Sequence, residues 1–323
     1  MDQLRPLGRS IDDVLLPTFG AYAQNLIAKE KEIRSTRQET HPYGFAPRHK
    51  LDVYYPDANK KPDAAFRAKP VLIFFYGGGF VTGNKVNQDY AHSLVYANLG
   101  HYFAAHHGFT VVIPDYRLVS HGAKYPSGGE DLKLAIDWVV QTLTKQAGYE
   151  SIDLFVLGNS AGGIHTATYL LDPAFKESRA AITAQERSGP GVLLRAIFML
   201  GVPFHWGSED NAVLRTYLGE EDGKIWAHSS LGVLESEKKK NNGAPPPSLP
   251  GTKVSVLVSE LDPELMQESG KQFQKEWETA NITYDVLDGH NHISPQLGLG
   301  TGIEKEEAWG AQVAEVCKAS ATK

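Results

Sequence analysis

The stretch from Leu154 to Leu171 constrains this chain more than any other. An apolar run, Leu154-Phe155-Val156-Leu157, passes directly into Gly158-Asn159-Ser160-Ala161-Gly162, and a helix-compatible segment from Ile164 to Leu171 follows. A buried strand that ends in Gly-x-Ser-x-Gly and turns at once into a helix lifts the serine hydroxyl above the sheet edge. Gly158 and Gly162 suit that turn, because a Cβ at either position presses on the turn and the flanking helix. The plainer alternative is a glycine-rich connection whose serine caps the helix. The choice rests on whether the other parts of an acyl-transfer site occur in the right order.

Upstream, Pro70-Val71-Leu72-Ile73-Phe74-Phe75 reads as a fully buried strand, and Tyr76-Gly77-Gly78-Gly79-Phe80 follows it immediately. Three glycines after a strand let backbone N–H groups face a cavity without side chains in the way. An oxyanion hole needs such donors, fixed before charge develops on a carbonyl oxygen. Gly78 and Gly79 are the candidate donors, with the amide of Ala161 as the third. Another buried strand and its exit follow in Thr110-Val111-Val112-Ile113-Pro114-Asp115-Tyr116-Arg117-Leu118.

With these segments in place, the chain resembles the α/β-hydrolase superfamily, in its hormone-sensitive-lipase and kynurenine-formamidase-like branch. The matches are Tyr76 to Phe80, Asp115 to Leu118, Tyr125-Pro126 through Glu130-Asp131, and Gly158 to Gly162. The resemblance extends from about Leu51 to about Ser294. It implies a doubly wound, mostly parallel sheet and a triad in the order Ser…Asp/Glu…His. One departure is that Tyr76 stands where the branch usually carries histidine. The backbone donors survive this change, but the side chain that supports the glycine loop differs. Asp115 and Arg117 read as a structural ion pair or turn element.

The acid and base are sought after Ser160. The strand Lys253-Val254-Ser255-Val256-Leu257-Val258 exits into Ser259-Glu260-Leu261-Asp262-Pro263, similar to the branch's Glu-x-Asp-Pro-Leu pattern, which implies Asp262 as the acid. Asp followed by Pro is also a good helix start, with Asp262 as N-cap, and Glu260 is the competing carboxylate. Beyond the strand Thr283-Tyr284-Asp285-Val286-Leu287 lie two histidines, in Gly289-His290-Asn291-His292-Ile293-Ser294. The Asn-His-Ile-Ser segment resembles the branch's Asn-His-Phe-Ser form and implies His292 as general base, leaving His290 to shape or support the pocket. A His-x-His metal site needs a third ligand that the sequence does not clearly supply.

Alternation of buried strands with helical patterns such as Glu130 to Val140 supports one α/β domain over residues 1–323. Right-handed crossovers then bring the glycine loop, Ser160, Asp262 and His292 to one sheet edge. Two apolar-striped segments fall outside the sheet. Ser10 to about Ile33 reads as a capped helix kinked at Pro17, and 204–250 is an insertion after the sixth strand ending in a solvated lysine run and Ala244-Pro245-Pro246-Pro247. Together they read as a two-piece cap. Tyr76, Phe80, Phe204 and Trp206 are the candidate substrate-binding aromatics. Gly298 to Gly302 lacks the preceding strand of a dinucleotide site.

The chain has 323 residues, 41% of them hydrophobic, enough for a large core. A net charge of −6 disfavours nucleic acid or an acidic membrane surface as partner. Cys317, the sole cysteine, excludes an intramolecular disulfide and reads as ordinary packing. With no apolar leader after Met1 and no stretch of spanning length, the expectation is a reduced, cytoplasmic setting. No cofactor is expected, and association with further copies of the chain is left open. The expected chemistry is hydrolysis of a small apolar ester or lactone through an acyl-enzyme. A lactone-forming cyclase like certain fungal biosynthetic enzymes, an aryl-formamidase and a non-catalytic ligand receptor are the alternatives on the same fold.

Overall fold

A computed structural model describes the chain except residues 60–62, 147, 185, 187, 243–248, 278, 280 and 322–323. Eight strands form one sheet: β1 (Gln38–Pro42), β2 (Lys50–Tyr54), β3 (Lys69–Phe75), β4 (Thr110–Pro114), β5 (Ser151–Asn159), β6 (Gly191–Leu200), β7 (Lys253–Leu261) and β8 (Ile282–Asn291). Their spatial order is β1-β2-β4-β3-β5-β6-β7-β8. The edge hairpin β1–β2 pairs antiparallel with β4, and all later pairings are parallel. The six apolar strands expected from sequence are present. The two strands of the edge hairpin lack that signature: β1 alternates exposed and half-buried residues, and β2 carries a buried Asp52.

The central strands are buried on both faces, and their Val, Ile, Leu and Phe runs reflect it. Helices cover both faces, so every parallel strand delivers its carboxyl end to the same edge. β5 and β6 are cross-linked by a buried ion pair, Arg195 Nε to Asp153 Oδ1 at 3.1 Å. Removal of one partner from such a buried pair costs about 3–5 kcal/mol, because the remaining charge is stranded.

The N-terminal helix, Ile11–Ala28, runs unbroken through Pro17, and a break at Lys29 precedes the short helix Glu30–Ile33. Ser10 precedes the helix without a side-chain capping bond. Its buried side, Val14, Thr18, Tyr22 and Leu26, packs into the body of the molecule. The insertion after β6 holds the helices Ala212–Leu218, Lys224–Ala227 and Ser230–Lys240. Leu214, Tyr217, Leu218, Leu231 and Leu234 are buried, whereas Trp226 is half exposed. The lysine run is not a loop: Lys238, Lys239 and Lys240 form the last turn of Ser230–Lys240, where cations complement the helix dipole. The proline run that follows lies outside the described residues. Cys317 is buried on the C-terminal helix Glu304–Ala321.

Candidate active site

Ser160 sits between β5 and the helix Ala161–Leu171 with φ 51° and ψ −120°, a conformation costly for a residue with a Cβ. Three contacts fix it there. Its N–H donates to the Leu200 carbonyl at the end of β6 (2.9 Å), and its own carbonyl accepts from Gly163 and Ile164. Gly162 is obligatory, since a Cβ would lie 2.2 Å from the Phe75 carbonyl oxygen of β3. Ser160 is thus held by the strands on either side of β5. The Ala161 amide opens the helix and is one of the terminal donors without an intrahelical acceptor.

The glycine loop lies against this turn: a Cβ on Gly77 would meet the Ser160 Cβ at 3.0 Å. Gly78 has φ +143° and Gly79 φ +58°, and a Cβ on Gly78 would lie 2.2 Å from the Thr82 carbonyl oxygen. The loop is tied down from outside. Tyr116 donates its hydroxyl to the Tyr76 carbonyl (2.9 Å), and the Phe80 carbonyl accepts from the Val119 amide (2.9 Å).

His292 follows the last residue of β8, and its Nδ1 is 2.7 Å from Asp262 Oδ1. The other carboxylate oxygen, Oδ2, accepts from the Ser259 amide at 2.7 Å. Asp262 therefore spends both oxygens on the β7 exit and the imidazole, rather than on capping the helix Glu264–Trp277. Glu260 faces elsewhere. It accepts both guanidinium nitrogens of Arg5 (2.7 and 2.8 Å) and the Gly289 amide (2.7 Å), which hold its carboxyl down at about 2. His290 turns its Nδ1 to Ser294 Oγ (2.9 Å) in a buried position that pushes its pKa down to about 4. Gly201, with φ +57°, closes the arrangement: a Cβ there would lie 3.1 Å from the His292 ring and 3.4 Å from Asp262. Gly201 succeeds Leu200, the residue that anchors Ser160, so the serine turn and the His292–Asp262 pair both border the end of β6.

An open cleft of about 610 Å³ adjoins Ser160, lined by Gly79, Phe80, Ala161 and Trp206 among others. Two of the four candidate aromatics thus reach it. Tyr76 does not. It is fully buried, stacks on Tyr116 and Tyr96, donates its hydroxyl to Asp115 Oδ1 (2.7 Å) and accepts from Arg48 (2.9 Å). It is a brace beneath the loop, where the resemblance leads one to expect histidine. Phe204 is likewise buried, stacked on Phe273 at 4.1 Å. Asp115 and Arg117 are structural but not paired with each other: Asp115 lies 3.7 Å from Arg48, and Arg117 binds Asp131 and Glu130.

Further cleft residues come from the two expected cap segments and from the start of the helix after β7. Ile11 of the N-terminal helix, Val213 and Leu214 of the insertion, and Leu265 and Met266 after Asp262 all line the cleft. Arg9 donates to the Glu260 and Asp262 carbonyls at 2.6 and 2.8 Å, bracing the acid from a segment far away in sequence.

Comparison with known proteins accords with this architecture. The BD-FAE family model matches residues 51–175, the segment from β2 through the serine turn. A probable isoprenylcysteine alpha-carbonyl methylesterase of Oryza sativa subsp. japonica is 32% identical over 42% of this chain and 29% of its own length. A probable tuliposide A-converting enzyme of Tulipa gesneriana is 26% identical over 74% of this chain and 59% of its own. The chain thus spans well under two thirds of these relatives. The solved structure of esterase B from Lactobacillus rhamnosis superposes with a TM-score of 0.62 over 99% of this chain and 97% of that one, at 14% identity. The chain has the α/β-hydrolase fold, and the proteins it is similar to include esterases and also a gibberellin receptor of Arabidopsis thaliana, 33% identical over 32% of this chain and 27% of its own length.

Proposed function

We propose that the protein is a serine hydrolase that cleaves a carboxylic ester of a small, largely apolar molecule through an acyl-enzyme. The observation that carries this reading is the 2.7 Å contact of His292 Nδ1 with the fully buried Asp262, set across Gly201 from the strained serine turn. In this reading Ser160 Oγ attacks the ester carbonyl while His292 Nε2 takes its proton. Asp262 holds the Nδ1–H tautomer and stabilises the imidazolium. The amides of Gly78, Gly79 and Ala161 face the oxyanion, a group of donors that can be worth several kcal/mol in the transition state. His292 then returns the proton to the leaving alkoxide, and water releases the acyl group by the same steps in reverse. The cleft is of ordinary ligand-pocket size, and Phe80, Trp206 and Leu214 suit an apolar acyl or alcohol group.

Labelling with a fluorophosphonate tests the nucleophile. Wild-type protein should label and turn over short aryl esters, and Ser160→Ala should lose labelling and about 10⁴–10⁶ of the rate while keeping its fold. Labelling retained in Ser160→Ala overturns the assignment. Product analysis on esters, hydroxy esters and aryl formamides then separates hydrolysis from lactone formation and from formamide cleavage.

A further inference from the structure

At the opposite edge of the sheet, before β4 begins, a second group of chemically active side chains converges. One ligand atom from each of Glu32, His101 and His106 lies within 4.8 Å of the others, the sole group of three such residues among those described. His101 Nε2 is 3.6 Å from Glu32 Oε1. In an α-helix, residues five apart point about 140° away from each other. Here the chain leaves the helix Leu94–His101 through a π-helical turn, Tyr102–His106, which brings the two imidazoles onto one side with ring centroids 5.4 Å apart. Such turns are rare and concentrate at functional sites.

We propose that Glu32, His101 and His106 bind a divalent transition-metal ion of the zinc class. Two imidazoles and one carboxylate are a zinc-type donor set. Ligands about 2.0–2.1 Å from a tetrahedral ion stand about 3.3 Å apart; His101 Nε2 and Glu32 Oε1 are near that at 3.6 Å, and all three ligand atoms lie within 4.8 Å of one another. His101 is also oriented for the role. Its Nδ1 is 2.7 Å from Thr36 Oγ1, so the tautomer that donates to Thr36 leaves the Nε2 lone pair facing Glu32. The ligands line an open cavity of about 370 Å³, which leaves a position for water or an exogenous ligand. Lys29 lines the same cavity, and its ammonium is held by the Gly300 carbonyl. Glu32 belongs to the short helix after Ile11–Ala28, whereas both histidines belong to the layer against the sheet. A bound ion therefore fastens the end of the N-terminal helical segment to the body of the molecule.

Zinc chloride titrated into the full chain, after chelator treatment and dialysis, tests the proposal by calorimetry and thermal unfolding. The expected result is one ion per chain, a melting temperature that rises with zinc concentration, and loss of both in His106→Ala and Glu32→Gln. Thr36→Val should weaken binding by about 10–100-fold, as loss of an outer-shell partner does. His106 and Glu32 are exposed, so their substitution leaves the fold intact. Absence of binding to wild type, or equal binding to wild type and His106→Ala, overturns the proposal.

Discussion

At the scale of single residues, the loop around the candidate acid and base separates near-neighbours by their partners. Asp262 and Glu260 are two positions apart, as are His292 and His290, yet one of each pair faces the site. Under the proposed mechanism, Asp262→Asn should lower kcat by about 10⁴, because an amide cannot hold the imidazole tautomer or stabilise its charge. Glu260→Gln should leave kcat within a few-fold and weaken only the ties to Arg5 and the Gly289 amide. Steady-state assays of both variants on one aryl ester decide the matter, and equal losses would contradict the division of roles. Tyr76 teaches the same lesson at the glycine loop. Its hydroxyl reaches back to Asp115 and Arg48 and not into the cleft, so its contribution is to loop rigidity.

At the scale of elements, the N-terminal segment is a brace as well as a cover. Its helix buries one side against the body, ties Thr18 Oγ1 to Asn291 Nδ2 beside His292 (2.9 Å), and places only Ile11 at the cleft. Ahead of it, Arg9 binds the carbonyls that flank the acid. Arg9→Ala should therefore lower kcat by about 10–100-fold with a smaller change in KM, since loosening the acid by about 1 Å misplaces the base. Unchanged kcat with a lower melting temperature would mean that Arg9 serves stability alone. The insertion after β6 is no loose lid either. Tyr217 stacks on Phe80 at 4.2 Å and reaches His165 Nδ1, so the insertion and the glycine loop form one packed unit.

At the scale of the whole molecule, buried histidines set the acid limit of stability. Burial pushes His107, His165 and His290 down to about 4, against an ordinary value near 6.5. The unfolded chain takes up these protons as pH falls below about 6.5, whereas the native chain resists until about 4. Stability is therefore full above about 6.5, declines through that window, and levels off with respect to these groups below it. The deeply buried His165 and His290 each contribute on the order of 3 kcal/mol to the loss, and the partly exposed His107 less, because solvent screens it. Near pH 5, the slope of unfolding free energy against pH should correspond to about three protons, measurable by denaturant titration at a series of pH values. A flat profile between pH 6.5 and 4 would contradict the neutral burial of these rings.

The division between sequence and tertiary structure follows the range of the interactions. Features fixed by local chemistry were legible in the chain: six apolar strands, the glycines that only a crowded turn requires, and Ser160 between strand and helix. The edge hairpin was not, because β1 is largely exposed and Asp52 of β2 is buried only through Lys85 and Thr40. Nor could sequence tell Phe204 from Trp206, two positions apart, since the first meets Phe273 and the second the cleft. The resemblance implied Asp262 over Glu260, but the physical reason lies in the positions of Arg5 and of the Gly289–His292 segment, which the fold brings to the β7 exit from two distant parts of the chain. A residue's type states which contacts it can make. Only the fold states which partners, hundreds of residues away, stand within the few ångströms over which hydrogen bonds and packing act.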